Sequence, residues 1–138
     1  MLQISEQDGR FTAKTLFRLA PEVFGATQQT PILFNEHLYG VRPDGQFVCL
    51  NLEGKVVWNS GPGDPFGLGP FLLADGVIFV LNDSGTLSLL EATPDKFNRL
   101  AQAKVLEGRE CWGPMALAGT RLILRDLTRI ACLEVGTK

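Results

Sequence analysis

The side chains able to do chemistry are few in this 138-residue chain, and their spacing scatters them. His37 is the one histidine. As a general base or metal ligand it would need carboxylates or a nucleophile converging from elsewhere. Its place in a turn between two apolar runs reads instead as a surface histidine. Cys49, Cys111 and Cys132 form no CxxC pair, and an odd number cannot pair completely within one chain. Cys111 lies in a loop where a thiol could react, although Arg109 is the one basic neighbour able to lower its pKa. The run Gly61-Pro62-Gly63-Asp64-Pro65-Phe66-Gly67-Leu68-Gly69 has the glycine content of a phosphate loop without its spacing. Phe66 stands where the third glycine of GxGxxG belongs, and no helix follows to supply a dipole. It reads as a connecting loop.

Composition narrows the classes further. Lys+Arg 13 against Asp+Glu 15 gives a net charge of -2, without the basic stripe that phosphate neutralisation requires. The 45% of hydrophobic residues suffice for a packed core, and no apolar run approaches the ~18 residues of a membrane span. Gly 15 and Pro 8 together exceed average usage, which suits many short strands and turns. The N-terminal Met1 to Glu6 segment lacks the charged-then-apolar design of a signal peptide. The expected setting is therefore cytoplasmic if this is the whole chain, or export as part of a longer parent.

The elements that must position these residues come from an internal repeat. Thr30-Pro31-Ile32-Leu33, Gly69-Pro70-Phe71-Leu72 and Gly113-Pro114-Met115-Ala116 open three similar segments about 40 residues apart. Each continues with a turn (Glu36-His37, Asp75-Gly76, Ala118-Gly119), a second apolar run, and a polar turn at Pro43-Asp44-Gly45, Asp83-Ser84-Gly85 or Asp126 to Thr128. Cys49-Leu50-Asn51-Leu52, Leu89-Leu90-Glu91-Ala92 and Cys132-Leu133-Glu134-Val135 then supply a third run. Cys49 and Cys132 share a repeat position with Leu89, so that slot suits an apolar side chain packed between sheets. Lys55 to Asn59 gives the first copy a fourth strand. In the second, Thr93-Pro94-Asp95 predicts one helical turn over Pro94 to Asn98, leading into a strand from Arg99 to about Leu106.

Four antiparallel strands at this period predict an all-β fold, a partial β-propeller of about three four-stranded blades. Residues 1–29 read as the last strands (Met1 to Ile4 and Phe11 to Leu19) of a preceding blade. Residues 30–68 and 69–112 form complete blades, and 113–138 an incomplete one.

The loops entering the first strands offer Phe24, Phe66 and Trp112, and the second strands end at Arg42, Asn82 and Arg125. In an up-and-down blade both features lie on one face. Repetition would set aromatic and hydrogen-bonding groups around a channel mouth, suited to an anionic, carbohydrate or peptide ligand. The alternative is that the aromatics cap blade cores while the arginines pair with Asp44, Asp126 or Glu110.

The stretch Cys49-Leu50-Asn51-Leu52-Glu53-Gly54-Lys55-Val56-Val57-Trp58 resembles the blade motif of the pyrroloquinoline-quinone-like (quinoprotein) propeller repeats. Glu91 to Asp95, Lys104 to Leu106, Trp112-Gly113-Pro114 and Arg125 to Glu134 are also similar to quinoprotein-like proteins of bacterial export compartments. The resemblance implies that Trp58 docks between blades against a Gly-Lys turn, with Gly54 and Lys55 forming such a turn here. It implies a non-catalytic binding or scaffold module, periplasmic or otherwise exported, with no cofactor expected. The competing class is a fragment of a quinone-dependent dehydrogenase, which would hold the quinone with calcium and draw its carboxylates from Asp64, Asp83 and Asp126. The second and third copies lack the Gly-Lys-x-x-Trp ending.

A closed propeller needs roughly 4–8 blades. The expected partners are therefore the remaining blades of a longer chain or a second copy of this one, with the strand Phe11 to Leu19 completing the last blade of its neighbour. A protein partner or small ligand at the channel mouth would come in addition.

Overall fold

The computed structural model describes residues 1–25, 27–63 and 65–136. Every element in them is a strand. In chain order these are β1 (Leu2–Gln7), β2 (Arg10–Thr15), β3 (Ile32–Phe34), β4 (His37–Val41), β5 (Phe47–Asn51), β6 (Val56–Asn59), β7 (Phe71–Ala74), β8 (Val77–Leu81), β9 (Thr86–Glu91), β10 (Arg99–Lys104), β11 (Ala116–Ala118), β12 (Arg121–Arg125) and β13 (Ile130–Glu134). They form four antiparallel sheets: the hairpin β1-β2, a first blade β3-β4-β5-β6, a second blade β7-β8-β9-β10 and a third sheet β11-β12-β13. Among the described residues, no helix is long and apolar enough to cross a membrane.

Turn chemistry explains the meander. Asp8-Gly9, Asn35-Glu36 and Asp75-Gly76 all carry positive φ and link strands through two-residue turns. That backbone matches the right-handed twist of a hairpin. The turn between the second and third strands is held from within. Asn82 Oδ1 accepts the backbone N–H groups of Ser84 (3.1 Å) and Thr86 (2.9 Å). Asn51 does the same for Glu53 and Lys55, each at 3.0 Å, in the turn before β6.

The expected helical turn over Pro94 to Asn98 is not there. Glu91 and Asn98 close the β9–β10 hairpin twice, through Glu91 N–H to the Asn98 carbonyl (3.0 Å) and Asn98 Nδ2 to Glu91 Oε2 (2.7 Å). Between them the chain bends outward and Phe97 turns into the core. Sheet closure outweighs the local helix-start signal, because a nascent turn of helix is costly to nucleate.

Successive sheets bury one another. Tyr39, Val41, Phe47 and Cys49 of the first blade pack on Ile78, Val80 and Leu90 of the second. Phe79, Leu81 and Leu87 of the second pack on Leu122 and Leu124 of the third. The stacking stops there. The repeat predicts Cys132 between sheets like Cys49, but it is exposed, since no described residue covers that face of β12 and β13.

Thiol chemistry follows from burial, and it corrects the expectation of a reactive Cys111. Both Cys49 and Cys111 are fully buried. Burial raises the Cys49 thiol to about 11 and pushes Cys111 up as well, withholding the thiolate that would react. In dilute native protein, Ellman's reagent should titrate one thiol at once and the other two only on unfolding. Two fast thiols would show that the Cys111 loop opens.

Candidate functional site: the mouth between the inner strands

The two four-stranded blades and the three-stranded third sheet each begin with a short edge strand preceded by a proline, and the three approaches converge. Gln28, Gln29, Thr30, Leu68, Pro70, Phe71, Trp112 and Pro114 line a cavity of about 220 Å³. Gln29, Leu68 and Trp112 all stand two residues before the strand-opening proline, so the repeat itself brings them together.

The walls are tied down. Gln29 Nε2 donates to the carbonyls of Gly67 (2.9 Å) and Gly69 (3.3 Å), and Gln28 Nε2 donates to that of Leu68 (3.0 Å). Both amide N–H groups therefore clamp the loop of the next blade, while their carbonyl oxygens can still accept. Trp112 Nε1 donates to Asp83 Oδ1 at 2.9 Å, and the same oxygen accepts Leu68 N–H at 2.8 Å. The indole is thus fixed in orientation although the residue is 41% exposed. A pinned aromatic face beside two amide side chains and two prolines can stack on an apolar ring and accept hydrogen bonds, and Phe71 adds a second aromatic to the lining.

The anticipated ring of six residues is not reproduced as a set. Trp112 is at the mouth. Phe66 is buried at 3% exposure between the blades, with its ring 5.5 Å from that of Phe47 and under the Arg99 guanidinium. Its N–H bonds to the Gly45 carbonyl just as Leu106 N–H bonds to that of Gly85, so Phe66 is the counterpart of Leu106, not of Trp112. Phe24 packs over Gly40, where a Cβ would meet its ring at 3.0 Å.

The polar residues face their own turns. Arg42 forms an ion pair with Asp44 that raises the guanidinium pKa and lowers that of the carboxylate. Asn82 is engaged in the turn described above. Arg125 is misaligned by one residue in the sequence repeat. It pairs with Ile130 as Val41 pairs with Phe47 and Leu81 with Leu87, and it donates from Nε to the Asp126 carbonyl at 3.1 Å. Asp126 is the true counterpart of Arg42 and Asn82: its Oδ1 accepts Thr128 and Arg129 N–H, each at 2.7 Å. These donors hold its carboxyl below the usual range.

The motif residues lie on a different surface. Trp58 reaches from β6 to the second blade, donating from Nε1 to the Thr93 carbonyl at 2.9 Å and packing on Phe97. The loop it meets, between β9 and β10, is the counterpart of the Gly54-Lys55 turn but lacks that sequence. Gly54 itself lies under Phe17 and Leu19, where a Cβ would be 2.8 and 2.9 Å from their side chains. Lys55 extends to solvent beside Glu53. His37 Nδ1 is bonded to the Asn35 carbonyl at 2.7 Å.

The stacked four-stranded meanders and the axial mouth define this chain as part of a β-propeller. Comparison with family models finds no match, and neither does comparison with curated proteins. Solved structures do share the fold. BamB from Moraxella catarrhalis, a β-propeller, superposes with a TM-score of 0.63 at 14% identity, over 76% of this chain and 32% of that one. The computationally designed Ika4 protein gives 0.59 at 8% identity, over 77% and 64%. The designed Ika8 protein gives 0.52 at 8% identity, over 68% and 28%. The chain thus spans about a third of the BamB length. At these identities the likeness is one of fold.

Proposed function

We propose that this chain is a non-catalytic propeller-repeat module that holds a segment of a protein partner at the mouth between its inner strands. The observation that carries the reading is the pinned, exposed Trp112 ring, which lines a cavity of about 220 Å³ together with the tethered Gln28 and Gln29 side chains. An extended peptide can place a proline or aromatic ring on the indole while its N–H groups bond the amide oxygens. Among the described residues, no Lys or Arg lines this cavity, so the site fits a neutral segment rather than the anionic ligand that arginines at the mouth would have favoured. Placement in an exported bacterial protein rests on the resemblance to quinoprotein-like repeats.

The dehydrogenase reading requires free carboxylates for calcium. Asp83 Oδ1 is taken by Leu68 N–H and Trp112 Nε1, and its carboxylate lies over Gly67. Asp126 is turned into its own loop, and no acidic or histidine cluster able to hold a metal occurs among the described residues. Asp64 lies outside the described residues. Among the described residues, Asp83 and Asp126 therefore do not offer the free, converging carboxylates that a quinone–calcium site needs.

Peptide and glycan arrays probed with the labelled chain test the proposal. Peptide signals should fall about 30-fold in Trp112→Ala, as for an aromatic anchor worth about 2 kcal/mol. Arg42→Ala, whose guanidinium is held by Asp44, should retain them. Binding confined to glycans, or peptide binding untouched by Trp112→Ala, would overturn it.

A further inference from the structure

We infer that two copies of this chain join through a contact distinct from the mouth: the β1-β2 hairpin of each lies on the uncovered face of the β12-β13 sheet of the other. The hairpin gathers its apolar side chains on one face. Leu2, Ile4, Phe11 and Ala13 share one face with Glu6 and Thr15, while Gln3, Ser5, Gln7, Arg10, Thr12 and Lys14 share the other. Such alternation marks a sheet with one buried face, and an isolated two-stranded hairpin is only marginally stable. Yet both strands are exposed throughout, Phe11 at 76%.

The third sheet presents the complementary vacancy. In the first two blades, the face carrying Tyr39, Val41, Phe47 and Cys49, or Phe79, Leu81 and Leu87, is covered by the sheet that follows. The matching positions of the third sheet are Ile123, Arg125, Ile130 and Cys132. They stand open, with Ile130 also 76% exposed. This face is therefore built to receive another sheet of the same kind. Among the described residues, the hairpin is the other sheet whose apolar face has no cover.

Size and charge agree. Three cross-strand pairs face out on each side: Leu2/Thr15, Ile4/Ala13 and Glu6/Phe11 on the hairpin, and Arg121/Glu134, Ile123/Cys132 and Arg125/Ile130 on the sheet. The carboxylate of Glu6 edges the first apolar stripe, and the guanidinium of Arg125 edges the second. Because each copy has one hairpin and one open face, two reciprocal contacts close a two-fold pair and use up both.

Sedimentation equilibrium of the full chain at tens of micromolar is the test. The expected mass is twice the 15.1 kDa of one chain. Phe11→Asp and Ile130→Asp each alter a residue exposed in the single chain, so both variants should fold and run as single chains. Mixed together they should associate again, because the intact hairpin of Ile130→Asp meets the intact sheet of Phe11→Asp. Labelling of Cys132 should slow as wild-type concentration rises. A wild-type mass of one chain overturns the inference and leaves both faces to further blades of a longer polypeptide. Dimers that survive either substitution, a mixture that stays apart, or Cys132 labelling independent of concentration would each overturn it too.

Discussion

Replacing Trp58 by alanine should destabilise the chain by about 3–5 kcal/mol, the range for truncating a buried aromatic side chain. The indole lies in the seam between two blades. Its ring is 6.0 Å from that of Tyr39, 6.4 Å from Phe47 and 5.8 Å from Phe97, so one side chain contacts both sheets. Aromatic pairs at these separations add to the area they bury. Truncation would also strip the Thr93 carbonyl of its indole donor, which costs more if water cannot reach it. Two variants separate packing from hydrogen bonding. Trp58→Phe retains most of the apolar contact and loses the N–H, so it should cost about 1–2 kcal/mol. Urea midpoints at constant slope measure both. If alanine and phenylalanine shift the midpoint equally, the hydrogen bond dominates and ring packing is not what holds the seam.

The Gly-Lys-x-x-Trp spacing is local and can be read from the sequence, whereas the surface that receives the indole is not. The pairs Cys49↔Trp58 and Leu89↔Ala101 occupy the same place beside a bulge in their blades. The second blade therefore has alanine where the first has its docking ring, and no sequence rule says what takes over.

Strand order was readable for a similar reason. Period-two apolar runs and turn residues are written within a few neighbours of each other, and the sheets follow the repeat. The candidate site was less readable. Trp112 stood out, but Gln28 and Gln29 look like ordinary loop amides. Only their offset from Pro31, compared with that of Trp112 from Pro114, would have placed them at the mouth. Arg125 was drawn into the wrong set because the turn after it is one residue shorter than the turn after Leu81. A one-residue slip moves a strand side chain to the other face, and no pattern of residue types exposes such a slip. Phe66 was misplaced because an aromatic residue in a glycine-rich loop gives no sign of pointing inward until a neighbouring sheet is present to receive it.

The second large effect contrasts two glycines that share a backbone conformation. Gly85 (φ +86) and Gly119 (φ +59) both occupy the left-handed region, where an L side chain costs roughly 1–2 kcal/mol. At Gly119 a new Cβ meets nothing within 4 Å, so Gly119→Ala should cost about that backbone term and no more. At Gly85 the Cβ would come 2.3 Å from the Leu106 carbonyl oxygen and 2.8 Å from the Leu106 Cβ. The neighbour cannot simply swing away. Val105 and Leu106 donate their N–H groups to the Gly85 carbonyl at 2.9 and 3.1 Å, and Leu106 is buried with Phe79, Leu81 and Leu122. Relief requires moving that backbone, so an overpacking cost of about 1–3 kcal/mol adds to the conformational one. Gly85→Ala should therefore lose about 2–5 kcal/mol against about 1–2 for Gly119→Ala. The comparison isolates space from conformation. Equal losses in parallel urea titrations would mean that φ alone governs both positions, and that the loop from β10 does not lock onto the turn of its own blade.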